Sequence, residues 1–126
     1  MKKFNRALGK LGEDNASDYL VKNGFKIIEK NYSTKFGEID LIAVKNNILR
    51  FIEVKLKKGE DFGTPEEMID KNKLFQVTRM SQFYLMAKPD VAKKYDRYSI
   101  DAICVVVNED EELERIDVYE NIGFWD

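Results

Sequence analysis

Residues 37–55 read GEIDLIAVKNNILRFIEVK, and this stretch decides the predicted fold. Apolar and polar residues alternate on both sides of Asn46 and Asn47, which is the period of a half-buried β-strand. Asn tolerates the positive φ that a two-residue hairpin turn requires. The stretch therefore predicts two antiparallel strands joined by a turn at these two residues.

A two-residue loop also fixes which residues face each other across the hairpin. Asp40 is predicted to face Glu53, and Glu38 to face Lys55. The same register gives two apolar pairs on that face and two on the other: Ile42 with Phe51 and Val44 with Leu49, then Ile39 with Val54 and Leu41 with Ile52.

The predicted pair of acids is unfavourable unless something neutralises it. Like charges opposite each other destabilise a sheet, and partial burial adds to the cost. A bound Mg²⁺ or Mn²⁺ reverses the sign of the interaction, because hard cations prefer carboxylate oxygens. Asp40 and Glu53 are therefore candidate metal ligands, with the positive charge of Lys55 beside them. The alternative is an exposed polar face, with solvated acids and Lys55 paired with Glu38.

Composition limits the chemistry further. The chain has 126 residues, 44% of them hydrophobic, which suits one domain over residues 1–126. It contains no apolar run long enough for a membrane span, so we expect no membrane partner. Its single cysteine, Cys104, fits a reducing cytoplasm and is expected in the core. Because histidine is absent, any hydrolysis must use carboxylates, lysine and an oxygen-liganded metal.

Charge is distributed unevenly along the chain. Residues 109–126 contain eight acids and one base, a net charge of −7, whereas the whole chain carries −2. Residues 1–108 therefore carry +5. This asymmetry permits a surface that binds a polyanion.

The rest of the chain predicts helices around the hairpin. An amphipathic helix spans about residues 4–23, with Gly12 in its apolar stripe and Glu13 at the edge. The helical wheel alone favours Glu13 as an ordinary flanking acid. Arg6 and Lys10 make the start of this helix basic, so they either contact phosphates or are solvated.

Downstream of the hairpin, Thr64 starts a predicted helix that runs to about Ala87. Lys73 on this helix either reaches a phosphate or is solvated, and Lys57 shares the face of Glu53. Further strands are predicted over residues 25–31, 98–107 and 113–119, the second of them interior because it is apolar on both faces. Asp101 in that strand is expected to be structural.

Asp40 followed by Glu53-Val54-Lys55 resembles the PD-(D/E)xK signature, with Glu38-Ile39 in place of the proline. A wider set of motifs is similar to the YraN-like family of small bacterial endonucleases, distantly related to archaeal Holliday junction resolvases. These motifs are Gly12-Glu13, Asn23-Gly24-Phe25, GEIDLI at 37–42, FIEVK at 51–55 and Phe62-Gly63.

The resemblance implies an α/β, restriction-endonuclease-like fold, with a single mixed central sheet flanked by helices. It implies a metal-dependent endonuclease acting on DNA, with branched or structured DNA as candidate substrates and a homodimer as candidate assembly. Asp40 and Glu53 would bind Mg²⁺ or Mn²⁺, joined by Glu13 and the Val54 carbonyl. Lys55 would be the catalytic lysine. The residues expected to hold the DNA backbone are Lys57, Lys73, Arg6 and Lys10.

Two other functions stay open at this point. The chain could be a non-catalytic nucleic-acid-binding module on a nuclease fold, which predicts salt-sensitive binding without turnover. It could also be a protein-interaction domain that uses its acidic segment, residues 109–126, as the contact surface.

Overall fold

The computed structural model describes residues 2–59 and 70–123, with the backbone alone for residues 2–7. In chain order the elements are α1 (Lys2–Lys22), β1 (Lys26–Thr34), β2 (Gly37–Lys45), β3 (Ile48–Lys58), α2 (Lys71–Ala87), α3 (Pro89–Lys94), β4 (Arg97–Val107) and β5 (Leu113–Tyr119). The strands form one sheet in the order β1-β2-β3-β4-β5. β3 and β4 run parallel, and the other neighbours are antiparallel. This mixed sheet confirms the predicted α/β, restriction-endonuclease-like fold.

The central hairpin has the predicted turn. Asn46 and Asn47 have φ values of 56° and 60°, both in the left-handed region that a type I′ turn requires. β2 pairs with β3 in the predicted register, from Lys45 opposite Ile48 to Leu41 opposite Ile52. Local alternation and turn chemistry therefore suffice to define this part of the sheet.

Each face of the sheet is covered by one helix. Leu20 of α1 is fully buried in a core with Leu41 and Ile52, and Met80 of α2 is fully buried against Phe51 on the opposite face. Burial of one such side chain stabilises the fold by about 1.5–3 kcal/mol. Both helices are therefore held mainly by their apolar stripes.

Gly12 brings α1 close to the sheet, as its place in the apolar stripe predicts. A Cβ at this position would lie 3.2 Å from the Cβ of Leu56 on β3. This close approach brings the next residue, Glu13, to the edge of the sheet.

The second helix differs from the prediction. Asp70 has an extended backbone, with φ −79° and ψ 176°, and its carboxylate accepts a 2.8 Å hydrogen bond from the Lys73 N–H. α2 therefore begins at Lys71. The prediction of one continuous helix from Thr64 to about Ala87 is wrong, because Asp70 has an extended backbone and caps the helix at this point. The predicted start at Thr64 lies outside the described residues. The short helix α3, with Pro89 in its first turn, was not predicted.

β4 is an interior strand, paired with β3 on one side and β5 on the other, as predicted. Asp101 on this strand is 1% exposed and accepts hydrogen bonds from Arg50 at 3.1 Å, from the Asn121 N–H at 2.8 Å and from the Ser99 hydroxyl. The structural role predicted for Asp101 is therefore confirmed. No helix within residues 2–59 and 70–123 has the length and apolar composition of a membrane span.

Candidate metal centre

β2 and β3 separate at Asp40. Their registered pairing ends where Leu41 faces Ile52, and one residue further the Oδ2 of Asp40 accepts a 2.8 Å hydrogen bond from the Val54 N–H. On the other side of β2, Asn31 of β1 has a φ of 53°. The sheet is therefore irregular on both sides of Asp40, and the opening between the strands leaves room for side chains.

This separation changes which faces the flanking residues occupy. Ile39 packs with Ile42 in the core under α2, whereas Leu41 and Val54 belong to the core under α1. The predicted pairing of Ile39 with Val54 is therefore wrong. The reason is that the strands are connected at this point by the Val54 N–H, which donates to the Asp40 carboxylate instead of to a backbone carbonyl in the registered pairing.

Three carboxylates converge beside the opening. Oxygen atoms of Glu13 on α1 and of Glu38 and Asp40 on β2 lie within 4.8 Å of one another. Burial and the charge of Asp40 raise the pKa of Glu13, while a hydrogen bond from Asn31 lowers it. The pKa of Glu38 is also raised, by burial and then by the charge of Asp40. These shifts indicate mutual repulsion, which a cation would relieve.

Glu38 was not predicted as a ligand. When the hairpin register is continued to the ends of both strands, it places Glu38 opposite Lys55. The registered pairing of β2 with β3 stops before these residues, and the strands place Glu38 opposite Ser33 and Lys55 opposite Cys104. A sequence signal was available, since residues two apart on a strand point to the same side and Glu38 precedes Asp40 by two.

Glu53 meets Asp40 from β3, as the hairpin register predicts. Its side chain is 5% exposed, and burial raises its pKa to about 8, assisted by the charge of Asp40 and by a hydrogen bond to the Asp40 carboxylate. Glu53 is therefore mainly protonated at neutral pH, and its carboxyl group donates the hydrogen bond to Asp40. Within residues 2–59 and 70–123, its Oε2 is buried without a hydrogen-bond partner.

Two lysines provide positive charge at this pair. The Nζ of Lys73 on α2 lies 3.6 Å from the Oε2 of Glu53, which is an ion-pair distance but beyond a good hydrogen bond. The charges of Lys73 and then Lys55 both lower the pKa of Glu53, but they offset only part of the effect of burial. Lys55 itself is half-buried on β3.

The other basic residues that were predicted to contact the DNA backbone differ in their exposure. Lys10 is exposed and, with Glu13 and Asn31, lines an open cleft of about 420 Å³ beside α1. Lys57 is only 6% exposed and lies near Cys104. Burial raises the pKa of the Cys104 thiol, and the charge of Lys57 offsets part of this increase. Arg6 lies in α1, but its side chain is outside the described part of the chain.

The donor set suits a hard divalent cation. Glu13, Glu38 and Asp40 offer three carboxylate oxygens within 4.8 Å of one another. The predicted ligand Glu53 is not part of this group of three but contacts it through Asp40, and its Oε2 is buried without a hydrogen-bond donor among the described residues. Mg²⁺ and Mn²⁺ prefer such oxygen ligands together with water. The carboxylate cluster can therefore bind a metal ion, whereas a contribution from the Val54 carbonyl stays a prediction.

Comparison with known proteins gives a consistent family. A UPF0102 protein of Fusobacterium nucleatum is 38% identical over 121 residues, covering 96% of this chain and 94% of the relative. A UPF0102 protein of Dictyoglomus thermophilum is 43% identical over 90 residues, 71% of this chain and 76% of the relative. Residues 12–118 match the profile described as "Uncharacterised protein family UPF0102". The resemblance to YraN-like proteins is thereby confirmed, and the chain belongs to the uncharacterised protein family UPF0102.

Proposed function

We propose that this protein is a metal-dependent endonuclease that hydrolyses phosphodiester bonds of DNA. The observation that carries the proposal is the position of Asp40, which contacts Glu53 across the opened strands and Glu13 on α1. Carboxylates that repel one another reduce stability, but their convergence is the arrangement that a metal-dependent hydrolase needs.

Hydrogen bonds orient the two central acids of the site. Asp40 is oriented by the Val54 N–H, and Glu53 is oriented by its hydrogen bond to Asp40. These two acids would hold Mg²⁺ or Mn²⁺, with Glu13 and Glu38 as further ligands. When bound, the ion would supply an activated water and neutralise charge on the scissile phosphate. Glu53 must lose its proton to act as a ligand, so metal affinity should fall as pH falls.

Lys55 would stabilise the charge that develops on the phosphate. Its neighbours are Glu53 and, through it, Asp40, so its ammonium group is close to the proposed reaction centre. A positioned charge acts most strongly where new charge appears in the transition state. Lys73 and Lys10 flank the centre on opposite faces of the sheet and would contact the DNA backbone.

A nuclease screen tests this proposal. The wild type is incubated with Mn²⁺ and single-stranded, duplex, flap and four-way-junction DNA. We expect Asp40→Asn to abolish cleavage without loss of folding, because it removes the shared ligand. The matched control is Asp96→Asn, which changes an exposed acid between α3 and β4 and should cleave like the wild type.

Two outcomes would contradict the proposal. Cleavage by Asp40→Asn at the wild-type rate would reject the site assignment. Salt-sensitive DNA binding without metal-dependent cleavage on any substrate would support a non-catalytic nucleic-acid-binding module instead.

A further inference from the structure

An exposed aromatic side chain stands next to the candidate metal centre. Phe36 lies in the turn between β1 and β2, two residues before Glu38, and is 48% exposed. Its ring stacks on Phe83 of α2, with ring centroids 5.2 Å apart and an interplanar angle of 11°. Because Phe83 packs against the core under α2, the face of the Phe36 ring that stacks on Phe83 is held in place.

The turn that carries Phe36 is tied to α2 by hydrogen bonds. The Phe36 carbonyl accepts a 3.1 Å hydrogen bond from Gln76, and its N–H donates a 3.0 Å hydrogen bond to the hydroxyl of Thr34. That hydroxyl in turn contacts the sulfur of Met80 at 3.2 Å. The ring is therefore preorganised, and a ligand that contacts it would have little ordering entropy to overcome.

Two cationic side chains lie over this ring. The Nζ of Lys35 lies 5.2 Å from the ring centroid, and the guanidinium carbon of Arg79 lies 5.7 Å from it. Arg79 is also 5.9 Å from the Phe83 ring, so it borders both aromatic side chains. A rigid aromatic face bordered by cations is the combination with which proteins bind unpaired bases and their phosphates.

One helix connects this aromatic surface to the candidate metal centre. Lys73 of α2 contacts Glu53, Gln76 contacts the backbone of Phe36, and Arg79 borders its ring. Phe36 precedes Asp40 by four positions in the chain, which is a distance of at most about 13 Å for an extended backbone.

We propose that Phe36 is a stacking platform for an unpaired base of the DNA substrate. This inference rests on the proposed endonuclease function and specifies its substrate class. A base within continuous duplex has both faces covered by its neighbours, whereas an unpaired base at a gap, flap or junction is free to stack on the ring. Lys35 and Arg79 would then pair with the phosphates on either side.

Fluorescence anisotropy tests the platform. The probes are a fluorescein-labelled 20-nucleotide single strand and the same sequence as duplex, bound in EDTA so that neither is cleaved. We expect Phe36→Ala to bind the single strand roughly 5- to 150-fold more weakly, the range found for removing one base–aromatic stack. Duplex affinity should be unchanged, and a thermal melt verifies that the variant is folded.

Two conservative variants distinguish stacking from simple packing. Phe36→Trp keeps an aromatic face and should retain single-strand affinity, whereas Phe36→Leu keeps apolar area without that face and should behave like Phe36→Ala. Equal weakening on both probes, or wild-type affinity for Phe36→Leu, would overturn the proposal. So would concentration-dependent self-association that Phe36→Ala removes while DNA binding persists, because the occupant would then be a second copy of the chain.

The two proposals fail in different ways. If wild type cleaves DNA with Mn²⁺ but Phe36→Ala binds the single strand as tightly as wild type, the platform is rejected and the endonuclease stands. If wild type neither binds nor cleaves any probe, the endonuclease is rejected and the platform with it.

Discussion

Replacing Glu53 by Gln is expected to make the metal-free protein more stable. The Glu53 side chain is 5% exposed and its pKa is raised from an ordinary value of 4.5 to about 8, first by burial and then by the neighbouring Asp40. Gln has the shape of the protonated acid and can donate the same hydrogen bond to Asp40. It also has no charged form for burial to penalise.

The size of the effect follows from proton linkage. Between its unfolded and folded pKa values the native state binds one proton more than the unfolded state, so the free energy of unfolding falls as pH rises. Within this pH range, each pH unit changes the free energy of unfolding by about 1.4 kcal/mol. From pH 4.5 to pH 7 the loss through Glu53 is about 3 kcal/mol, approaching 5 kcal/mol above pH 8. Glu53→Gln should recover up to these amounts.

Urea unfolding in EDTA at pH 5, 7 and 9 measures the difference. The control is Glu114→Gln, which removes an exposed acid on β5 and should change the unfolding free energy by about 0.5 kcal/mol or less. Added Mn²⁺ should reverse the order, because binding stabilises wild type and the variant lacks a ligand. Parallel pH curves for wild type and Glu53→Gln in EDTA would refute the assignment of the extra proton to Glu53.

Three further outcomes follow from the structure. Asp101→Ala should lower the free energy of unfolding by about 3–5 kcal/mol in urea titration, because it removes the buried partner of Arg50 and leaves that arginine paired with the exposed Glu120. Glu120→Gln, at a 59% exposed side chain, should cost less than about 1 kcal/mol. Gly9→Ala should raise the thermal midpoint, since Ala favours the helix by up to about 1 kcal/mol and no atom lies within 4 Å of the added Cβ. Gly12→Ala should raise the midpoint less, or lower it, because its added Cβ would lie 3.2 Å from a side chain of β3. Lys55→Met should lower kcat for DNA cleavage by about 10²–10³-fold while leaving Mn²⁺ affinity, measured by calorimetry, nearly unchanged.

The central hairpin was predictable because its determinants are local. Asn46 and Asn47 fix the turn, and the alternation on either side fixes the register as far as Leu41 and Ile52. The interior position of β4 was predictable for a similar reason, since a strand that is apolar on both faces must be covered on both faces. The contact between Asp40 and Glu53 followed from that register.

The arrangement around Asp40 was not predictable, because it depends on long-range contacts. The Val54 N–H bonds a side chain, and Asn31 adopts a positive φ that alternation does not reveal. These two features move Ile39 to the opposite core and bring Glu38 to the acids. The start of α2 was also missed, because the sequence pattern pointed to Thr64, whereas the described helix is capped by Asp70.

The two-asparagine turn is distant from the chemistry that it determines. Asp40 precedes Asn46 by six positions along the strand, a span of about 20 Å. Inserting one residue there would shift β2 against β3 by one position and bring an isoleucine or leucine, rather than an acid, in front of Glu53. Surface hairpins usually tolerate changes in length. Here, however, the number of residues in an exposed loop sets the strand register at a proposed reaction centre that the loop does not contact.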